Sequence, residues 1–498
     1  MQELRTRLAE VTDLRNTQQL LEWDHQTMMP PKGSTTRAEA LGTLERITHE
    51  LFVSEETGRL LEQAAAELDG ASPDSDDARI VEVTRRRWEK ARRVPTELAA
   101  EISRAAAVGH HAWVEAREKS DFAAFAPYLE RNFELARRYI DCFDSYDAPY
   151  DVLLDDYEPG MRAAEVSSLF AELRSELVPL IATLREHSDR VDDSCLHGSF
   201  PTERQRALVA AVLELMGFDS QGWRIDDTVH PFAVSIGAGD TRITTRWDES
   251  YFPSGLFGAM HECGHGLYEA GIANDLRRTP LGHGESLGLH ESQSRMWENM
   301  VGRSSQFSEV LAPRVSKAFG TELDPDALYR AVNLVKPSLI RVEADEATYS
   351  LHVVLRFELE QDLIEERLKV SDLPEAWNAK VKEYLGIDVP DDAHGVLQDV
   401  HWAGIAIGYF PTYALGNLIA GQLWEQVHRD VPDLDQRIAA GDVAPLREWL
   451  RDRVHRHGSK WGARELLERV TGNAISVAPF VSYLKHKLSD VYRVDLSE

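Results

Sequence analysis

His261-Glu262-Cys263-Gly264-His265 carries the residue types and the spacing that metal-assisted hydrolysis needs. The run 256–270 reads as one helix, where residues four apart share a face, so His261 and His265 present imidazole nitrogens to a single ion. A catalytic zinc site takes three protein ligands and keeps a fourth position for water, and a Glu beside the first His serves as base toward that water. Glu262 occupies that place. Cys263, in the middle of the pair, points to another helical face, which suits a small buried apolar role better than ligation.

The third ligand has to come from another element. Residues 290–297, beginning His290-Glu291-Ser292, keep helical spacing, and Glu291 is the carboxylate a second helix would supply. Two His and one Glu form the ligand set of thermolysin-like zinc sites. Glu298, two turns further on, reads as a solvated or helix-pairing carboxylate.

The elements that must position these groups are mostly helical. Apolar residues recur at helical spacing over 4–22, and a Pro- and Gly-containing stretch, 23–33, breaks the pattern before helix resumes at Ser34 and runs to 51. Further helices are expected over 77–90, 95–117, 121–143, 163–186 and 202–216. The rhythm stops between 222 and 248, where 230–236 and 240–246 flank Gly237-Ala238-Gly239 and predict a hairpin. After the metal helices, helical patterns cover 313–319, 325–335, 339–370 and 373–385. An irregular stretch, 386–398, leads to an apolar segment, 400–417, expected to bend at Pro411, and 444–498 reads as amphipathic helix broken at 471–473. No internal repeat or long linker divides these elements, so a single domain, 1–498, is expected, with a helical part of about 1–220 forming one wall of a cleft and 221–498 carrying the metal site.

Composition narrows the function class. Hydrophobic residues make up 43% and charged residues 28%, and no apolar run approaches the length of about 18 residues that spans a bilayer, so no membrane association is expected. The start of the chain lacks the basic region and apolar core of a signal peptide, and a cytoplasmic location is expected. Three irregularly spaced cysteines exclude a disulfide framework. A net charge of −29, from 84 acidic against 55 basic residues, disfavours nucleic acid as a partner. Arg outweighs Lys, and such an acidic, Lys-poor surface would suit a halophilic host; an ordinary acidic enzyme is the plainer alternative.

Several motifs together resemble the carboxypeptidase Taq family of metallocarboxypeptidases. They are His230-Pro231-Phe232, Asp240-Thr241-Arg242-Ile243-Thr244, the 261–265 motif, His290-Glu291-Ser292, Ile340-Arg341-Val342-Glu343-Ala344-Asp345 and Gly408-Tyr409-Phe410-Pro411-Thr412-Tyr413, with Tyr157-Glu158-Pro159-Gly160 among lesser matches. The resemblance covers nearly the whole chain. It implies a mostly α, elongated body similar to neurolysin and angiotensin-converting enzyme, split by a deep cleft with a small β-hairpin near the active site. It also implies a homodimer, zinc or cobalt as the metal, and release of single C-terminal residues from peptides with a free C-terminus, broadly but with poor handling of terminal Pro.

On this reading Glu262 takes a proton from the attacking water and passes it to the leaving amine. The developing oxyanion needs a preorganised donor, and His401, Tyr409 and Tyr413 lie in a segment whose family counterpart lines the cleft. A terminal carboxylate is best recognised by a planar Arg fork. Arg341 and Arg242 are the candidates, with His230 a further substrate-binding residue on the strength of its motif; by sequence alone Arg341 would pair with Glu343 or Asp345. An endopeptidase or dipeptidyl carboxypeptidase would share the metal site, and a non-catalytic peptide-binding scaffold would have no use for Glu262.

Overall fold

Helical periodicity carries through most of the chain, and the computed structural model, which describes residues 1–496, is built almost entirely of helices. The opening helices are Gln2–Thr27, Ser34–Val53, Glu55–Glu67, Asp76–Arg93, Thr96–Lys119, Phe122–Ile140, Ala163–Glu186 and Thr202–Met216. The first runs five residues past its expected end at 22, so the break shrinks to the Pro-Gly turn itself. The sequence reading passed over Glu55–Glu67, a separate helix started by Ser54, whose hydroxyl accepts from Thr57 N at 3.2 Å.

The non-helical stretch is a three-stranded sheet rather than a lone hairpin. β1 is Trp223–Asp227, β2 Ala233–Gly237 and β3 Asp240–Thr245. β3 lies in the middle, antiparallel to β2 through the Gly-containing turn and parallel to β1. β1 escaped notice because its polar residues pair with each other along the strand: Arg224 makes a two-bond fork to Asp226 at 2.7 Å. The sheet packs against the helix Pro253–Gly271 that bears the 261–265 motif.

Downstream, several boundaries move, and the helix expected over 325–335 is Pro325–Ala331. The helix expected over 313–319 is Ser305–Phe319, capped by Ser304, with Pro313 accommodated inside it. The helix expected over 339–370 is only Glu346–Ile364, because Asp345 caps it by accepting from Ala347 N and Thr348 N at 3.0 Å. Arg341 therefore sits in a short 3₁₀ turn, Arg341–Glu343, outside the helix. Pro411 starts the helix Pro411–Asp430 instead of bending one, the position where a missing N–H costs nothing. The C-terminal region breaks at 471–473 as expected, and also between Ala444–Arg453 and Ala463–Thr471.

One large apolar core runs through the body from the Thr96–Lys119 helix to Leu496. A smaller one joins Leu4, Leu8, Phe52, Leu60 and Ile80 of the first four helices to Ile272, Leu276 and Leu281, just beyond the metal-motif helix. Among the described residues no helix is long and apolar enough to cross a membrane.

Candidate metal centre

The motif helix, Pro253–Gly271, begins with Pro at its first turn and buries Glu262 and Cys263, while His261 and His265 each keep 18% of their side chain exposed. A second helix, Leu287–Arg295, crosses it in close contact. A Cβ at Gly264 would stand 2.7 Å from Ser294 Cα and 2.8 Å from Gln293 O, so only glycine lets the two backbones approach this far. The crossing brings Glu291 to the histidine pair. One donor atom from each of His261, His265 and Glu291 lies within 4.8 Å of the others.

The surroundings orient these three groups. Glu298 Oε2 lies 2.9 Å from His261 Nδ1, and Arg303 donates to its Oε1 at 3.0 Å. His265 Nδ1 lies 2.7 Å from His290 Nδ1, and His290 Nε2 lies 2.9 Å from Glu269 Oε1. A carboxylate beside one ring nitrogen fixes the proton there. His261 therefore carries its proton on Nδ1, and His290 on Nε2, which leaves His290 Nδ1 to accept from His265 Nδ1–H. Both candidate histidines turn an Nε2 lone pair toward Glu291 Oε2, at 3.7 and 3.5 Å. Arg295 Nε holds the other oxygen, Oε1, at 2.7 Å.

Three acceptors converging without a hydrogen between them repel one another unless a cation lies among them, so the donor set fits a metal ion. The Nε2-to-Oε2 separations of 3.7 and 3.5 Å are of the size taken by oxygen and nitrogen atoms that share one divalent ion. Burial pushes Glu262 up to about 7 and holds His265 neutral down to about 4. Burial also works against the ionised form of Glu298, but His261, Arg303 and Arg295 outweigh it and bring the carboxyl down to about 2.

Glu298 is thus the helix-pairing carboxylate and not the solvated one, and its partner is His261, a candidate ligand. It reaches that partner from Met296–Val301, where the second helix widens into π-helical turns. Its spacing of seven from Glu291, which returns to the same helical face, was the signal available in the sequence.

Four of the remaining candidates, Arg341, His401, Tyr409 and Tyr413, cluster on the other side of Arg295. The Arg295 guanidinium lies 4.1 Å from the Tyr349 ring centroid, and Arg341 Nη1 donates to Tyr349 OH at 3.0 Å. Arg341 is buried and does not pair with Glu343 or Asp345. Its Nε and Nη2 donate to Asp399 Oδ1 at 3.0 and 2.8 Å, and Arg356 donates to Oδ2 of the same carboxylate at 2.7 Å. Tyr413 lies under Arg341, 4.8 Å from the guanidinium, and its OH is 3.3 Å from His401 Nε2. Tyr409 packs edge-on to Tyr413 at 5.3 Å and lies 5.2 Å from His401. His401, Tyr409, Tyr413 and Arg341 are therefore one group, joined to Glu291 through Tyr349 and Arg295. Sequence reasoning missed Tyr349, Arg356 and Asp399, and the buried acid beside His401 was the clue.

Arg242 and His230 are not brought into this group. Arg242 makes a two-bond fork to Asp240 at 2.8 Å and stacks 4.3 Å from Trp23, while His230 is exposed ahead of β2.

A two-histidine pair on one helix, a carboxylate from the next and an acid beside the first histidine define a metal-dependent hydrolase site. The chain belongs to the carboxypeptidase Taq (M32) metallopeptidase family, whose model matches residues 3–488, and it is a metallocarboxypeptidase. Membership implies a divalent metal. The chain is similar to thermostable carboxypeptidase 1 of Thermus thermophilus, 43% identical over 95% of both chains, and to carboxypeptidase 1 of Bacillus subtilis, 38% identical over 95% of both. Its fold matches the crystal structure of the M32 carboxypeptidase from Deinococcus radiodurans R1 with a TM-score of 0.96 and 38% identity over 99% of both chains.

Proposed function

We propose that the enzyme releases single amino acids from free peptide C-termini with broad side-chain tolerance, using Glu262 as general base and His261, His265 and Glu291 to hold the metal, zinc in preference to cobalt. When bound, the ion supplies Lewis-acid polarisation of the scissile carbonyl and acidifies water. Glu262, with its carboxyl near 7, is matched to taking a proton from the attacking water and returning it to the leaving amine near neutral pH. His401, Tyr409 and Tyr413 offer N–H and O–H donors to the oxyanion.

One observation carries the exopeptidase reading. Arg341 and Arg356 share the single carboxylate of Asp399, so the trio holds one uncompensated positive charge in a buried setting, and a substrate's terminal carboxylate completes it. The bonds to Asp399 and Tyr349 use three of Arg341's five N–H donors, which leaves two for that carboxylate. Arg242, already forked to Asp240, is a weaker candidate for this role, and His230 would act at the cleft margin.

The same reading takes the enzyme as a cytoplasmic homodimer. The three free cysteines fit a reducing compartment, and sedimentation would give the assembly state.

Mass spectrometry of one peptide, C-terminally free or amidated, incubated with metal-loaded enzyme tests the proposal. A ladder of single-residue losses from the free form, with the amidated form largely intact, is expected. Internal cleavage of the amidated peptide would favour an endopeptidase, and metal content without hydrolysis of either would favour a binding scaffold.

A further inference from the structure

His401 and Tyr409 stand at the two ends of a tight, irregular loop that is not comfortable in itself. Ile405 adopts a left-handed conformation with φ of 59°, unusual for a β-branched residue, and Gly408 has φ of 90°. Such a loop persists only where its surroundings hold it. Two anchors come from the N-terminal helices: Asn132 Nδ2 donates into the loop, to Trp402 O at 2.9 Å and Ala403 O at 3.0 Å, and Trp113 Nε1 holds the segment leading into it by donating to Leu397 O at 2.9 Å.

The third anchor is a carboxylate with no part in the chemistry described above. Glu360, on the helix Glu346–Ile364, is fully buried. Its Oε1 accepts from Trp402 Nε1 at 2.6 Å, and its Oε2 accepts from Gly408 N at 3.0 Å and from Tyr150 OH. Trp402 follows His401 directly and Gly408 directly precedes Tyr409. One side chain therefore ties both ends of the loop at the residues next to the two proposed donors. Burying a carboxyl is costly, and an apolar residue of similar size would serve packing alone better.

We propose that Glu360 is a positioning residue for the hydrolysis, a two-oxygen latch that holds His401 and Tyr409 in their shared orientation over Tyr413. It rests on the reading of His401 and Tyr409 as oxyanion donors. The hydrogen-bond pattern makes glutamine a sharp probe. All three neighbours donate, and an amide offers only one acceptor oxygen, so its NH₂ must face either Trp402 Nε1–H or Gly408 N–H. Tyr150 OH alone can reverse its role by rotating. Glu360→Gln thus keeps the shape and releases one end of the loop.

The experiment compares Glu360→Gln, Tyr150→Phe and His401→Ala in the metal-loaded enzyme, reading kcat, KM, metal content and thermal midpoint. Glu360→Gln is expected to lower kcat by at least about tenfold, because misplaced donors lose transition-state stabilisation, with KM changed by less than about twofold and metal content preserved, while its midpoint falls as one buried donor loses its acceptor. Tyr150→Phe removes the donor that does not touch the loop, and its kcat is expected to stay within about twofold of wild type while its midpoint shifts. Unchanged kcat in Glu360→Gln, or equal kcat losses in Glu360→Gln and Tyr150→Phe, would overturn the latch. Unchanged kcat in His401→Ala would instead overturn the reading beneath it. Should Glu360→Gln fail to fold, Trp402→Phe, which removes only one donor of the latch, is expected to show the same loss in kcat, and its absence would count equally against the proposal.

Discussion

Replacing Arg341 with Ala isolates the charge on which the exopeptidase reading depends. The truncation leaves Asp399 with Arg356, whose Nε donates to it at 2.7 Å with Nη2 in ion-pair contact at 2.6 Å, so no buried carboxylate is stranded. The buried trio falls from one net positive charge to zero, and the substrate carboxylate loses a bidentate, charge-assisted partner. Such a contact is worth about 1.5 to 3 kcal/mol, or roughly ten- to a hundredfold in kcat/KM. Arg341→Lys should recover only part of this, since an ammonium restores the charge but not the fork. Metal content should not change, because Tyr349 and Arg295 separate Arg341 from Glu291. The assay is kcat/KM on one peptide in free and amidated form. The loss should appear on the free peptide and nearly vanish on the amidated one. Equal losses on both would refute the reasoning and turn the search to Arg242.

Two further outcomes follow from buried carboxyls. Glu298→Gln weakens the acceptor that fixes His261, and metal affinity measured by competition with a chelator should fall about ten- to a hundredfold; unchanged affinity would remove Glu298 from the account. Glu158, fully buried and accepting from Gly288 N at the start of the second metal helix, is pushed up to about 8 by burial. An acid whose folded pKa lies above its unfolded one binds its proton more tightly when folded, so that stability is fully present below about pH 4 and is lost as pH rises toward 8. The stability of Glu158→Gln relative to wild type, measured by denaturant titration, should therefore rise between pH 5 and 8, and a pH-independent difference would contradict the assignment.

What the sequence made legible was local. His261 and His265 meet because four residues on a helix share a face, and Glu291 is reached by the same periodicity on the next helix. The helical body was readable for the same reason, as was the Gly-turned pair β2 and β3. The parts that escaped depend on partners far along the chain or on polar residues that satisfy one another. Arg341 finds Asp399 across 58 residues, beyond Glu343 and Asp345, which periodicity offers first. Asp345 uses its carboxylate to cap the helix at its N-terminus, which starts the expected 339–370 run at Glu346 and frees Arg341 from it. β1 hides its strand character behind the Arg224–Asp226 pair, and Glu298 could be read as solvated because its spacing of seven from Glu291 gives the face but not the partner, His261, which comes from another helix. Glu360 has no local signal at all: it lies in a strong helical pattern, and its three donors come from two distant segments, Tyr150 and the 401–409 loop.

The division of labour between holding the metal and moving the proton is the central claim, and Glu262→Gln tests it most directly. Metal content by mass spectrometry of the native protein, read beside kcat on a free peptide, gives both halves from one preparation. Full metal occupancy with activity lowered by at least about a hundredfold is the predicted result, since the base is gone while His261, His265 and Glu291 remain. Loss of the metal, or retention of near-wild-type activity with the metal bound, would contradict it.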